Sequence, residues 1–229
     1  MTADRHPGRL AAISARRAHE PRWPVVVTLV ILLGLLVTMP ERLRLMPQWV
    51  LYVTSVVVVA PLIMVAIRPE SATFRRIERI TTLAFVAFAA FGDMAVLRTL
   101  LLDILRNAQA VTGLQLLASS VAIWLANIVT FSLLFWQMDR GGPTGRERSA
   151  PCRPDWLFPQ EQLDEGFVRS GWKPDFVDYL YLGFSTATAF STTDVPPLSG
   201  RAKMGMMAES AISLLTLVVV AARAINVLG

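Results

Sequence analysis

Between Gly183 and Leu198 the chain reads GFSTATAFSTTDVPPL, a run of small hydroxylated residues with one acid and a closing pair of prolines. Closely spaced hydroxyls and main-chain carbonyls can replace the water around a cation, and an acid at the mouth of such a path would favour positive charge. Thr186, Thr188, Phe190, Ser191, Thr192, Thr193 and Asp194 are therefore the candidate ion-path or filter residues. A second set follows in the last apolar segment. Glu209, Ser213, Thr216, Val220 and Arg223 fall at i, i+4, i+7, i+11 and i+14, which is one face of a helix. A polar stripe on a membrane helix faces away from lipid. Glu209, Ser213 and Thr216 thus either border a conduction path or lie in a helix interface, where small polar residues commonly mediate packing.

Other chemistries lack their residues. His6 and His19 both sit near the N-terminus, so the body of the chain offers no His-based metal cluster, and the single cysteine, Cys152, allows no intrachain disulfide and no CxxC site. There is no GxSxG elbow, no P-loop and no GxGxxG. No nucleophile, base and orienter converge, and an enzyme is not expected. No cofactor and no bound metal are expected either, apart from a monovalent cation as permeant ion. The net charge of +5 does not point to nucleic acid. Arg5, Arg9, Arg16, Arg17 and Arg22 precede one apolar run, and Arg68, Arg75, Arg76 and Arg79 follow another, which is how orientation is encoded in a membrane protein.

The elements that must position these residues are apolar runs. Hydrophobic residues make up 54% of the chain and charged residues 17%. About 20 apolar residues cross a ~30 Å hydrocarbon core as a helix. Spans are expected from about Trp23 to Met39, ended by Pro40, from Trp49 to Ile67, and from Ile80 to Gly92. Asp93 would lie near the far interface, with an amphipathic surface helix over Arg98 to Arg106. Leu114 to Met138 and Met204 to Leu228 are the longest runs, and Asn127 within the former is expected to bond to a neighbouring helix. Phe176 to Phe190 is apolar but short: at 1.5 Å per residue it covers about 22 Å, less than a full crossing. The expected fold is all-α, a polytopic transmembrane helix bundle of about five spanning helices plus a short re-entrant pore-type helix. It divides into a basic tail (1–22), three membrane helices (23–110) and a pore-like module (111–229), with a hydrophilic loop at 139–175 and a re-entrant segment at 176–197. The aromatics of that loop, Trp156, Phe158, Phe167 and Trp172, suit a segment that folds down onto something.

NIVTFSLLFWQMDRGGP (127–143), PDWLFPQ (154–160) and DYLYLGFSTATAFSTTDVPPLSGRAKMGMMAESAISL (178–214) together resemble a family of bacterial integral membrane proteins without an assigned function. That resemblance implies a bacterial cytoplasmic membrane protein. The C-terminal helix, loop and helix also look like the pore module of potassium channels. In that likeness Thr186 and Thr188 match the Thr-rich end of the pore helix, Phe190 to Thr193 occupy the filter, and Asp194 and Pro197 match the Asp and Pro beyond it. The filter glycines are replaced by Ser191 and Thr193, and the filter Thr by Ala189, so the likeness implies a hydroxyl-lined path of low selectivity. It also implies a homo-oligomer, a tetramer by analogy, surrounded by membrane lipids.

The basic residues place the N-terminus in the cytoplasm, and four spans later the 139–175 loop is cytoplasmic too. Either 176–197 then enters from the cytoplasmic face, or 176–192 crosses fully and gives six spans, or an early segment does not cross. The leading functional expectation is an oligomeric cation channel with a re-entrant loop. The alternatives are a non-conducting scaffold that docks partners through 139–175, and a small transporter.

Overall fold

The computed structural model describes residues 20–37, 48–68, 71–105, 113–147, 152–163, 166–168, 172–188 and 194–228. Among them the chain is all-helical. The long helices are α1 (Trp23–Val37), α2 (Gln48–Ile67), α3 (Ala72–Leu105) and α4 (Gly113–Met138). After a single 3-10 turn at Asp139–Gly141 come a five-residue helix α5 (Pro143–Glu147), then α6 (Phe176–Thr188) and α7 (Gly200–Leu228).

Local sequence explains the boundaries. Ser71 caps α3, its Oγ accepting from the Phe74 amide at 3.4 Å. Helix α4 stops where Arg140, Gly141 and Gly142 adopt φ of 54°, 80° and 82°, a left-handed run that a helix cannot continue. Asp175 and Asp178 form a reciprocal capping box at the start of α6. Asp175 Oδ1 accepts from the Val177 amide, and Asp178 Oδ2 accepts from the Asp175 amide, each at 2.8 Å. Ser199 caps α7 by accepting from the Ala202 amide at 3.2 Å.

One expectation is corrected in α3. The charged FRRIER stretch, the apolar run and the segment predicted as a separate surface helix form one 34-residue helix through Leu105. No proline interrupts 72–105, and the helix continues through Gly92 and Asp93. Arg106, the last residue of that predicted surface helix, lies outside the described residues.

Helix α4 is the centre of the bundle. It packs against α1, α3, α6 and α7, and α2 packs against α1 and α3. Ile128, Leu133, Phe135 and Trp136 are all buried in the core. Two glycines allow close approach to it. A Cβ on Gly205 of α7 would stand 3.0 Å from the Phe135 ring, and one on Gly183 of α6 would collide with Ser132 Oγ and lie 3.1 Å from the Ile128 carbonyl. Gly183 is therefore required by packing. Gly183→Ala should lower the unfolding midpoint of the detergent-purified chain by an amount equivalent to about 1–3 kcal/mol, the usual cost of overpacking. Gly34→Ala, where nothing lies within 4 Å, should not lower it. Equal midpoints for wild type and Gly183→Ala would mean that α6 does not seat on α4.

Candidate functional site

One end of the bundle is closed by a polar cap. The start of α1, the end of α4, the beginnings of α3, α6 and α7, and the described part of the 139–175 loop all meet there. Arg146 is buried beneath it, donating to the carbonyls of Trp136 and Asp139 at 2.9 and 3.1 Å and pairing with Glu20 at 2.9 Å. The Trp136 indole also donates to Glu20. Arg22 pairs with Glu78 at 3.3 Å and Glu147 at 3.2 Å. Burial pushes the Glu78 carboxyl above its usual range, and the adjacent Arg22 guanidinium opposes that shift. Asp139 is fully buried, accepting from the Tyr179 hydroxyl at 2.5 Å and the Asp155 amide at 2.7 Å. Asp155 in turn holds Arg201 at 2.6 Å and Ser199 at 2.5 Å. Residues 20–22, read from sequence as part of a tail, thus belong to this cap, because their charges find buried partners.

The loop folds onto its own bundle. Trp156 and Phe158 are fully buried, Trp156 tilted against Phe135 at 4.8 Å and Phe158 edge-to-face with Tyr179 at 5.4 Å. Phe167 stays exposed.

The path of α6 follows from the same contacts. Its first turn is at the cap, with Phe176 against Trp136 at 5.8 Å and Tyr179 on Asp139. From there it descends alongside α7, and Ser210 Oγ donates to the Thr186 carbonyl at 3.1 Å, about 15 Å below the cap at 1.5 Å per residue. The helix ends at Thr188, yet by Val195 the chain is back at the cap. Leu157 N donates to the Pro196 carbonyl at 3.1 Å and Leu198 N to the Asp155 carbonyl at 2.7 Å, with Trp156 and Pro197 bridged antiparallel. The described residues on either side of 189–193 thus meet the cap at the same end of the bundle, where α6 starts and where 195–198 lie.

The polar residues that matter lie beside this excursion. Glu209 is 0% exposed, and neither carboxylate oxygen has a hydrogen-bond partner among the described residues. Its Oε1 lies 3.3 Å from where a Cβ on Gly183 would stand. Asn127 reaches across from α4, donating through Nδ2 to the Glu209 carbonyl at 3.2 Å and to Ser213 Oγ at 2.8 Å. Its own Oδ1 accepts from nothing described. An ionised carboxylate buried without a partner is costly, and the described residues supply no donor to offset it.

The sequence-derived site residues divide accordingly. Glu209, Ser213 and Thr216 are buried inside one chain against α4, so the stripe is a helix interface, with Glu209 the member that packing leaves unsatisfied. Thr186 is buried and donates to Leu182 O at 2.8 Å; Thr188 is half-buried and donates to Phe184 O at 2.7 Å. Both hydroxyls therefore bond to their own helix. Asp194 is exposed at the cap surface. Phe190, Ser191, Thr192 and Thr193 lie outside the described residues. Asn127 bonds to a neighbouring helix as expected, but its pairing with Glu209 was not foreseen, and neither were the cap residues Asp139, Arg146, Asp155 and Tyr179. The signal for the pairing was depth: each is an isolated polar residue about 15 Å from the cap end of its helix. Among the described residues no cluster of His, Cys, Asp and Glu could hold a metal ion.

Truncating Arg146 removes the cation paired with Glu20 and a donor to two buried carbonyls. Arg146→Ala should destabilise the chain by about 3–5 kcal/mol, the usual cost of breaking a buried ion pair from one side. Thermal unfolding in detergent measures this, and a midpoint within error of wild type would show that the cap does not hold the bundle.

Comparison with family models, curated proteins and solved structures finds no match to this chain, so the geometry alone carries the functional argument.

Proposed function

We propose that the chain is an integral protein of the bacterial cytoplasmic membrane that conducts cations, with α1, α2, α3, α4 and α7 crossing and 176–197 dipping in from the cytoplasmic face. By length and composition one helical stretch among the described residues, 120–147, suffices to cross a membrane, and two shorter apolar helices cover 23–34 and 52–67. Support for the wider reading comes from the outer surface. Val30, Ile31, Val53, Val56, Phe91, Leu214 and Val218 are all exposed around the bundle, an apolar belt that a water-facing protein would not carry at this extent. Trp23 at the cap end of α1 and Trp49 at the opposite end of α2 are exposed as interfacial anchors would be. Arg22, Arg75, Arg79, Arg140, Arg146 and Arg201 gather at the cap, the side that positive charge marks as cytoplasmic.

The observation that carries the cation reading is the excursion itself, which ends a helix at mid-depth beside a buried carboxylate. The C-terminus of a helix bears about half a negative charge, and Glu209 can add a full one. Non-helical backbone at membrane depth persists where protein buries it or where it lines a cavity. Glu209, Ser213 and Thr216 are enclosed within one chain, so a cation site there needs no subunit axis and does not require the tetramer inferred by analogy. Enclosure of Glu209 also favours a second reading, a carrier with an occluded site. The scaffold reading loses its main support, because Trp156 and Phe158 are buried in the chain's own interior.

Two measurements test the proposal. Cys152 is exposed at the cap and serves as a native reporter of its side. In a Cys152→Ser background, Asp194→Cys should react with a membrane-impermeant maleimide from the face that labels Cys152 in the wild type; labelling from the opposite face would rule out the dip. In reconstituted vesicles the wild type should pass monovalent cations, with conduction reduced in Thr188→Ala and Asp194→Ala. Flux that saturates at low rate would favour the carrier, and no flux at all would remove both readings.

A further inference from the structure

We propose that Glu209 and Asn127 together hold one desolvated monovalent cation, a proton or an alkali metal ion, inside a single chain. This deepens the conduction reading and rests on it only for the route by which the ion arrives.

The argument is one of unmatched acceptors. Glu209 Oε1 and Oε2 and Asn127 Oδ1 are three buried oxygens without a donor among the described residues, and Asn127 Nδ2 donates to the Glu209 main-chain carbonyl at 3.2 Å, which ties the two residues together. Buried polar atoms in folded proteins are nearly always paired. A group of acceptors with no donor has one natural complement, a positive charge. The surroundings agree in sign. Ser210, next to Glu209, holds the Thr186 carbonyl near the C-terminal end of α6, so that helix directs its negative pole toward the same depth. Ser132 Oγ, which crowds the same Gly183 position as Glu209 Oε1, donates to Ile128 O at 2.7 Å and keeps its lone pairs free to accept.

Among the described residues no nearby charge supplies the complement instead; the side chains of Asp93 and Asp103 on α3 and of Arg223 on α7 lie outside them. Helix α4 carries no ionisable side chain from Gly113 to Met138. Helix α6 has Asp178, Tyr179 and Tyr181, all toward the cap, with Tyr179 committed to Asp139. Helix α3 places Arg75, Arg76, Glu78 and Arg79 in its cap-end turns, and its Arg98 is exposed. On α7 itself Arg201 and Lys203 are exposed at the start of the helix, and Arg201 is held by Asp155.

The test uses the full chain in detergent, following thermal unfolding by tryptophan fluorescence. Choline chloride is replaced by sodium, potassium or lithium chloride at fixed ionic strength, and the choline series is repeated from acid to neutral pH. A saturable rise of the midpoint with one alkali ion identifies a metal ion; a rise on acidification in choline, unmoved by alkali ions, identifies a proton. Either dependence must be lost in Glu209→Gln, whose midpoint in choline at neutral pH should exceed that of the wild type because the uncompensated charge is gone. Should Glu209→Gln not fold, Asn127→Asp carries the test. It keeps the oxygens and adds a charge, so the dependence must steepen. A wild type indifferent to both series, a dependence retained in Glu209→Gln, or one unchanged in Asn127→Asp overturns the site. Flux without Glu209-dependent stabilisation would leave conduction standing and remove this site. The converse result would keep the site and remove conduction.

Discussion

The seat of α6 on α4 at Gly183 is the contact from which the rest of the architecture follows. A thirteen-residue helix covers about 20 Å, too little to traverse a bilayer. It can stop inside the bundle only where another helix covers it closely, and the absent side chain at Gly183 permits that closeness against Ser132 and Ile128. Because α6 stops at depth and the chain returns, α7 must start at the same end as α6. The two helices then descend side by side, which brings Thr186 level with Ser210 and Gly183 level with Glu209. A longer α6 would have reversed α7 and separated these residues.

The cap is the counterpart of that excursion. Each segment that reaches it contributes a charge or a carbonyl: Glu20 and Arg22 before α1, Glu78 on α3, Asp139 and Arg146 after α4, and Arg201 on α7. Buried ion pairs recover little net stability, since desolvation offsets most of the attraction, but breaking one from one side is costly. Their effect here is to fix register. Tyr179 ties α6 to Asp139, and the Asp139 carboxylate also receives the Asp155 amide, so the entry of α6, the loop and the start of α7 are set relative to one another by two acids.

Much of this was legible in the sequence, and the failures have physical causes. The start of α2 and the end of α4 were readable because composition changes abruptly at Trp49 and Asp139, whereas α7, expected from Met204, begins four residues earlier at Gly200. The shortness of α6 was readable as well, and with it the possibility of a return. Helix α3 was misread because hydropathy marks where a helix meets lipid and says nothing about where its hydrogen bonding stops. The FRRIER turns are polar yet helical. The folding of the loop onto the bundle was half-legible: the aromatics announced that it packs, but not that its partners are Phe135 and Tyr179, which requires knowing which helix ends meet. The direction of the α7 stripe was similarly hidden. Periodicity puts Glu209, Ser213 and Thr216 on one face, and only tertiary contact with Asn127 reveals that the face is turned inward.

That inward turn bears on which element could give an ion access to Glu209. Helix α4 is packed on nearly every side and cannot shift without disturbing α1, α3 and α7 together. Helix α6 is held differently. Tyr179, Leu182, Gly183, Thr186 and Ala187 are buried on one face, while Val177, Tyr181 and Phe184 are exposed on the other. That exposed face borders an apolar groove of about 490 Å³ shared with α1 and α4, lined by Ile31, Leu32, Leu125 and Val129 among others. Among the described residues its side-chain hydrogen bonds to other elements reduce to Tyr179 at the cap, with Ser210 reaching its last turn. A helix seated on one face, ending in mid-bundle and flanked by deformable apolar space has the least to lose by a small displacement. Because Gly183 stands directly over Ser132 and Glu209, even a small outward shift of α6 would uncover the carboxylate while leaving α4 and α7 in place.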